Sequence, residues 1–216
     1  MIWKAGTAPM VTKPLSPLSL LERAPLFYSD QVLPSVQADQ LFDTLLDTLI
    51  WHVPAVTVYG KRHLVPRQVA WCADIGVDYA YAGHCHQGSG WPPSLYALKS
   101  NLETLCATSF NAVLVNRYDH GGHCMGYHRD NEPELGASPW IASYTLGAAR
   151  DFTFRPWARS GAQAGRQCAK IPLGHNSVLL MSPECQQHYE HALPRRARQQ
   201  GIRLNLTFRL VQPKNK

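Results

Sequence analysis

No apolar run in the chain approaches the roughly 20 residues that a membrane-crossing helix requires, which argues against a span of that kind. The opening Met1-Ile2-Trp3-Lys4-Ala5-Gly6 lacks the apolar core of a secretory signal. An intracellular protein, cytoplasmic or in the nucleoid or nucleus and not secreted, is therefore expected. Six cysteines, at positions 72, 85, 106, 124, 168 and 185, form no C-x-x-C pair and keep no regular spacing. They are expected to be reduced thiols rather than a disulfide framework. His84-Cys85-His86 has no second ligand pair at finger spacing, which argues against structural zinc. Internal repeats are also absent. What remains is an ordinary balance of 45% apolar and 17% charged residues, enough for one domain of 216 residues to bury a sizeable core. Lys and Arg number 21 against 15 Asp and Glu, a net +6 that favours a polyanionic partner without identifying one.

Residues 1–34 hold Pro9, Pro14, Pro17, Pro25 and Pro34 and read as an irregular N-terminal arm; a single domain is expected over 35–212. From Ser35 on, Leu41, Phe42, Leu45, Leu46 and Leu49 share one helical face, predicting a helix to about Ile50. Pro92-Pro93 opens a second helix, carrying Leu95, Leu98, Leu102 and Leu105 along one side. Strands are predicted at Phe110–Tyr118, Ile141–Leu146, Phe152–Phe154, Ser177–Met181 and Leu204–Leu210, separated by turns containing Gly, Pro and Asn. Two helices followed by many short strands imply an α+β fold. Its core is expected to be a double-stranded β-helix, the jelly-roll type of barrel, with both helices of the N-terminal half packed on it.

The chemistry is concentrated in the last third of the chain. On an extended segment, residues two apart point the same way, so His128 and Asp130 can reach one ion while Arg129 points away. Two histidines and one carboxylate form the facial set that holds non-haem Fe(II) and leaves positions open for a co-substrate and O₂. The distal histidine must come from elsewhere. His123, His175 and His188 compete for that place, and His191 is preferred for its distance from the arginine-bearing strand that follows. On that strand, alternation puts Arg203, Asn205, Thr207 and Arg209 on one face and Leu204, Leu206 and Phe208 on the other. Cations on an inward face are costly unless they meet anions, and guanidinium groups bind carboxylates through two hydrogen bonds. A dicarboxylate such as 2-oxoglutarate suits them, although the two arginines lie roughly 20 Å apart along an ideal strand. Asn116 and Tyr118 are further same-face polar candidates.

The ordered set N-x-Y (Asn116-Arg117-Tyr118), H-x-D (His128-Arg129-Asp130), a distal His191 and R-x-N-x-x-x-R (Arg203 to Arg209) resembles the AlkB family of nucleic-acid dealkylating dioxygenases. It is most similar to the branch that repairs double-stranded DNA, over about residues 28–212. The resemblance implies that His128, Asp130 and His191 bind Fe(II). It implies that Asn116, Tyr118, Arg203, Asn205, Thr207 and Arg209 hold 2-oxoglutarate, with O₂ as the second co-substrate. Val58-Tyr59-Gly60-Lys61 and Pro66-Arg67 match the hairpin that probes the duplex, and Tyr59 takes the place of its aromatic finger. Tyr79-Ala80-Tyr81 matches the nucleotide-recognition strand within a region at about 55–90, with Tyr81 placed to stack on a flipped base opposite His128.

One position departs from that pattern. The repair branch usually carries an acid directly after the aspartate of H-x-D, facing the base; here Asn131 stands there, followed by Glu132. An amide can hydrogen-bond an exocyclic amine but offers no charge to a cationic base. Lys61, Arg62, Arg67, Arg155 and Arg159 are candidates for phosphate contact. Pro194-Arg195-Arg196-Ala197-Arg198 reads as a solvated loop, with nucleic-acid contact or a localisation signal as the other readings. The expected activity is oxidative demethylation of bases such as 1-methyladenine and 3-methylcytosine in DNA by a monomer, releasing succinate, CO₂ and formaldehyde. Alternatives are the same oxidation on RNA or on a protein side chain, or a nucleic-acid binding module without catalysis.

Overall fold

The computed structural model describes residues 13–58, 60–81, 84–157, 166 and 168–212. β1 (Ser16–Leu18) and β2 (Leu26–Ser29) precede α1 (Ser35–Thr48). A hairpin of β3 (Ala55–Val58) and β4 (Lys61–Leu64) leads into β5 (Gln68–Ala73), and a second hairpin, β6 (Tyr79–Tyr81) and β7 (His84–His86), leads into α2 (Pro93–Cys106). There follow β8 (Ala112–Tyr118), β9 (Met125–His128), β10 (Ile141–Gly147), β11 (Arg150–Pro156) and β12 (Ala169–Leu173). The chain then forms β13 (Ser177–Met181), α3 (Pro183–His188), β14 (Tyr189–Leu193) and β15 (Arg203–Arg209).

Both long helices form where apolar spacing places them. Ala38, Leu41 and Leu45 of α1 recur at helical intervals and are fully buried. Pro93 sits in the first turn of α2, where its missing N–H has no partner to lose, and Leu95, Leu98 and Leu102 form its buried stripe. These leucines pack with Leu204, Leu206 and Phe208 of β15 in one apolar cluster, so the helices cover one face of the larger sheet. That sheet has seven strands in the order β1-β2-β13-β10-β15-β8-β5. A four-stranded sheet, β12-β11-β14-β9, faces its other side, and both contribute to a second cluster that includes Ile141, Leu179 and Met181 opposite Phe152, Phe154 and Leu173. The strand pairs within both sheets are antiparallel. This is the expected jelly-roll core with helices on one face. Because a pleated strand alternates, burying Leu204, Leu206 and Phe208 under the helices turns Arg203, Asn205, Thr207 and Arg209 into the gap between the sheets.

The segment expected to be an irregular arm differs from that expectation. Residues 1–12 lie outside the described part, but β1 and β2 are regular strands. β2 pairs with β13 from Val178↔Ser29 to Met181↔Leu26 and so extends the larger sheet. Strands of three and four residues are too short for periodicity to register, and β1 is an edge, where proline is tolerated. The turn between β10 and β11 uses Gly147 at φ +80°, where any Cβ would run into the Ile202 carbonyl and the Phe42 ring. Only glycine fits there.

Leu26 is 1% exposed within β2. Leu26→Ala should therefore cost about 2–5 kcal/mol in equilibrium denaturation. An unchanged midpoint would return this segment to the status of an arm.

Candidate active site

A cavity lies in the gap between the sheets, with Asn116, Arg203, Asn205 and Arg209 on its larger-sheet wall and His128 and His191 on the other. His128 ends β9, which pairs with β14 through His191↔His128 and Leu193↔Met125. One residue of β14, Ala192, thus stands against two of β9, Gly126 and Tyr127, a β-bulge. The bulge brings the Gly126 carbonyl to 2.9 Å from His128 Nδ1. A carbonyl only accepts, so Nδ1 carries the proton and Nε2 keeps its lone pair for a ligand.

Asp130 follows on a loop tied down at its backbone, where its N–H donates to Gln186 Oε1 of α3 at 3.0 Å. Arg209 Nη2 donates to Asp130 Oδ1 at 2.5 Å, and Oδ2 lies 3.6 Å from His191 Nε2. His128, Asp130 and His191 each offer a ligand atom, all within 4.8 Å of one another. His123, His175 and His188 belong to no such group among the described residues. Burial raises the Asp130 carboxyl, but Arg209 and the two histidines outweigh it and hold it down to about 2. Burial, reinforced by His128, pushes His191 down to about 3, so its imidazole is neutral. An ionised carboxylate and a neutral imidazole are the forms that bind a metal. Phe152 stacks on the His191 ring with centroids 5.1 Å apart.

The rest of the cavity asks for an anion. Arg203 is 1% exposed and donates through Nη2 to Thr145 Oγ1 at 2.9 Å. Its Nε and Nη1 have no hydrogen-bond partner among the described residues, and the same holds for Nε and Nη1 of Arg209. Burial lowers Arg203 to about 10, which still leaves it a cation at neutral pH. Burial also opposes the Arg209 charge, but Asp130 more than compensates and raises that guanidinium above its ordinary value. Two buried cations with unused N–H groups are expensive alone and well matched to a dicarboxylate. Arg203 lies by Thr145 and Tyr118 and Arg209 by Asp130 and Tyr79, so the guanidiniums serve opposite ends of one cavity. The long spacing along the strand is thereby accommodated. Neutral groups complete the wall: Asn205 Nδ2 donates to Ser143 Oγ at 2.7 Å, and Thr207 Oγ1 to Asn205 Oδ1 at 3.2 Å.

The residues expected on the nucleic-acid side divide. Tyr59 lies outside the described residues, as does Arg159, and only the backbone of Lys61, Arg62 and Tyr81 is described, in β4 and β6. Gly60 is the exposed link between β3 and β4, at φ +75°. Asn131 is exposed and Glu132 half-buried beside the cavity's loop. Tyr79 is fully buried, its ring stacked on Trp71 at 4.9 Å with Arg209 on it at 5.8 Å. Arg67 is buried too and turns inward to Asn116 rather than out to a phosphate. Arg155 is paired with Glu190 at 2.7 Å and lies over Tyr127. Arg129 does point away from the triad: it stacks over Trp157 at 3.5 Å and donates to the Gln186 carbonyl. Gln186, Thr145 and the Gly126 carbonyl escaped the sequence reading. Ser143 and Thr145, two polar residues on one face of an apolar strand, were the available signal; a glutamine on a six-residue helix gives none.

Residues 25–209 match the family model described as the 2OG-Fe(II) oxygenase superfamily. Over 185 residues the chain is 37% identical to the DNA oxidative demethylase ALKBH2 of Mus musculus, covering 83% of this chain and 77% of that protein. The chain belongs to the AlkB family of 2OG-Fe(II) oxygenases. Human ALKBH2 is 37% identical over 180 residues, covering 81% of this chain and 69% of the relative. The alkB homolog 3 dioxygenase of Mus musculus is 34% identical over 178 residues, 79% of this chain and 62% of that protein. The solved structure of OsALKBH1 superimposes with a TM-score of 0.60 at 17% identity, covering 91% of this chain and all of that one, which supports the fold. As an AlkB-family dioxygenase the protein uses Fe(II), 2-oxoglutarate and O₂. Its three clustered ligands and its two under-satisfied arginines fit that pair of groups.

Asp130→Asn in this dioxygenase removes the charge that neutralises buried Arg209 and should cost the metal-free protein about 3–5 kcal/mol in denaturant titrations. Adding Arg209→Met should recover most of that loss. A single variant as stable as the parent would mean the pair is hydrated rather than buried.

Proposed function

We propose that the protein is a DNA oxidative demethylase that restores N-methylated bases such as 1-methyladenine and 3-methylcytosine, acting as an intracellular monomer. What carries this reading is the pairing of a His-Asp-His cluster with two buried, under-satisfied arginines in a chain 37% identical to ALKBH2 over 185 residues. Fe(II) would be held by His128, Asp130 and His191. 2-Oxoglutarate would be held by Arg203, Asn205, Thr207 and Arg209, with Asn116 and Tyr118. When bound, iron, 2-oxoglutarate and O₂ supply the oxidation of the methyl carbon on nitrogen.

The chain's own work is geometric and electrostatic. Arg209 and Gln186 aim Asp130, the Gly126 carbonyl sets the His128 tautomer, and burial keeps His191 neutral. A base inside a duplex cannot reach this gap, so it must leave the stack; unstacking costs a few kcal/mol, which aromatic faces partly return. In this proposal Tyr59, on the hairpin with Gly60 and Lys61, fills the vacated position. Tyr81 stacks on the base, and Asn131 and Glu132 meet its edge. Arg67, on Asn116, and Tyr79, under Arg209, support the cavity from within. Asn131 offers a hydrogen bond without a charge, which shifts preference away from cationic lesions relative to an acid at that place.

Purified protein with Fe(II) and 2-oxoglutarate should release formaldehyde from methylated DNA, and His128→Ala, Asp130→Ala or His191→Ala should each abolish the release. Faster turnover of methylated RNA than of either DNA form would move the substrate to RNA. Absence of succinate formation in every condition would leave a binding module.

Tyr59→Ala should impair repair of a methylated duplex far more than repair of the same lesion in a single strand, because only the duplex has a gap to fill. Tyr81→Ala should harm both, by about 1–3 kcal/mol for the lost stack. Matched single- and double-stranded substrates measure the difference. Equal losses on the two forms for Tyr59→Ala would sink the finger assignment.

A further inference from the structure

Arg67 stands at the foot of the β3–β4 hairpin, where its backbone is tied on both sides. Val65 N donates to the Pro54 carbonyl at 2.9 Å, and Cys124 N to the Pro66 carbonyl at 3.1 Å. The arginine is only 7% exposed, and its Nε donates to Asn116 Oδ1 at 2.9 Å. Asn116 is 2% exposed, pairs in register with Asn205 and lines the same cavity as Arg203.

A primary amide has an accepting end and a donating end. Arg67 can only donate, so it claims the oxygen of Asn116 and leaves Nδ2 as the end available to the cavity. The opposite orientation would place an oxygen toward the bound anion and repel it. We propose that Arg67 is a positioning residue for the co-substrate. By holding the Asn116 amide it presents an N–H₂ donor to a carboxylate of 2-oxoglutarate. The hairpin foot and the co-substrate then share one hydrogen bond. This rests on reading the cavity as the 2-oxoglutarate site.

The test is calorimetric titration of 2-oxoglutarate into the Mn(II)-loaded protein, with denaturant stability measured alongside. Arg67→Ala should weaken binding about tenfold, the worth of one buried, charge-assisted hydrogen bond. Arg67→Gln retains a donor and should recover most of it. Asn116→Asp separates positioning from mere structure: it keeps a partner for Arg67 and should be no less stable, yet it exchanges the donor for an oxygen and should weaken binding by more than tenfold. Parental affinity in Asn116→Asp overturns the proposal. So does parental affinity in Arg67→Ala when Arg203→Ala loses binding. If Arg203→Ala also binds like the parent, the reading of the cavity falls and the inference with it. Should Arg67→Ala fail to fold, Asn116→Asp decides alone.

Discussion

Asp130 and Arg209 are 2% exposed each, with donor and acceptor 2.5 Å apart, and the charge balance around this pair governs the whole gap between the sheets. Asp130 contributes −1 and the arginines 203 and 209 contribute +2, so the histidines apart the lining carries +1. A divalent metal raises that to +3 and a dicarboxylate returns it to +1. Each binding event favours the other: the dicarboxylate offsets the charge that the cation adds to an already positive lining, and the cation gives the anion a partner beyond the arginines. The buried lining thus makes metal and co-substrate mutually supportive, and it explains why so polar a set of side chains persists between two apolar sheets.

That balance needs a scaffold able to aim charges. The antiparallel register of β15 against β8 and β10 places Asn116 opposite Asn205 and Thr145 opposite Asn205, so polar residues of three strands converge on one face. The opposite face is surrendered to the helices, where Leu204, Leu206 and Phe208 join the leucines of α1 and α2. A one-residue slip of β15 would bury its four polar side chains under the helices and expose its apolar ones to the cavity. The helices therefore act at a distance on the chemistry: their leucine stripes hold the register that points the arginines inward. The bulge in β9 has the complementary role on the other wall, where an added residue turns a carbonyl onto His128.

Legibility in the sequence follows from these same constraints. Strong periodicity announced both helices, and alternation in Arg203–Arg209 announced which face was polar, because each pattern repeats over a whole element. H-x-D was readable because its two members stand two residues apart on one extended segment, and its distal partner was narrowed by order along the chain. What stayed hidden depends on contacts between segments far apart in sequence. The Gln186–Asp130 bond spans 56 residues and the Arg67–Asn116 bond 49, and no local pattern encodes either. The strands before α1 were hidden for a different reason: three or four residues beside several prolines show no period, and their order comes from pairing with β13.

The positive net charge acquires a different meaning once partners are assigned. Arg155 pairs with Glu190, Arg196 with Asp151, Arg117 with Asp119, Lys99 with Glu103 and Lys13 with Asp30. Arg203 and Arg209 are buried, and Arg67 is turned inward. Each ion pair spends an acid as well as a base and leaves the net excess of six unchanged, but it makes those bases poorer partners for phosphate, and these three buried arginines are withdrawn from the surface. Recognition of nucleic acid would then draw less on counterion release, and more on the few groups at the cavity's mouth, than the composition suggests. In that case salt should weaken binding only modestly, while loss of an aromatic at the mouth should weaken it at every ionic strength. The division follows from geometry: a phosphate contact acts through charge that salt screens, whereas a base held against a ring is held by contact.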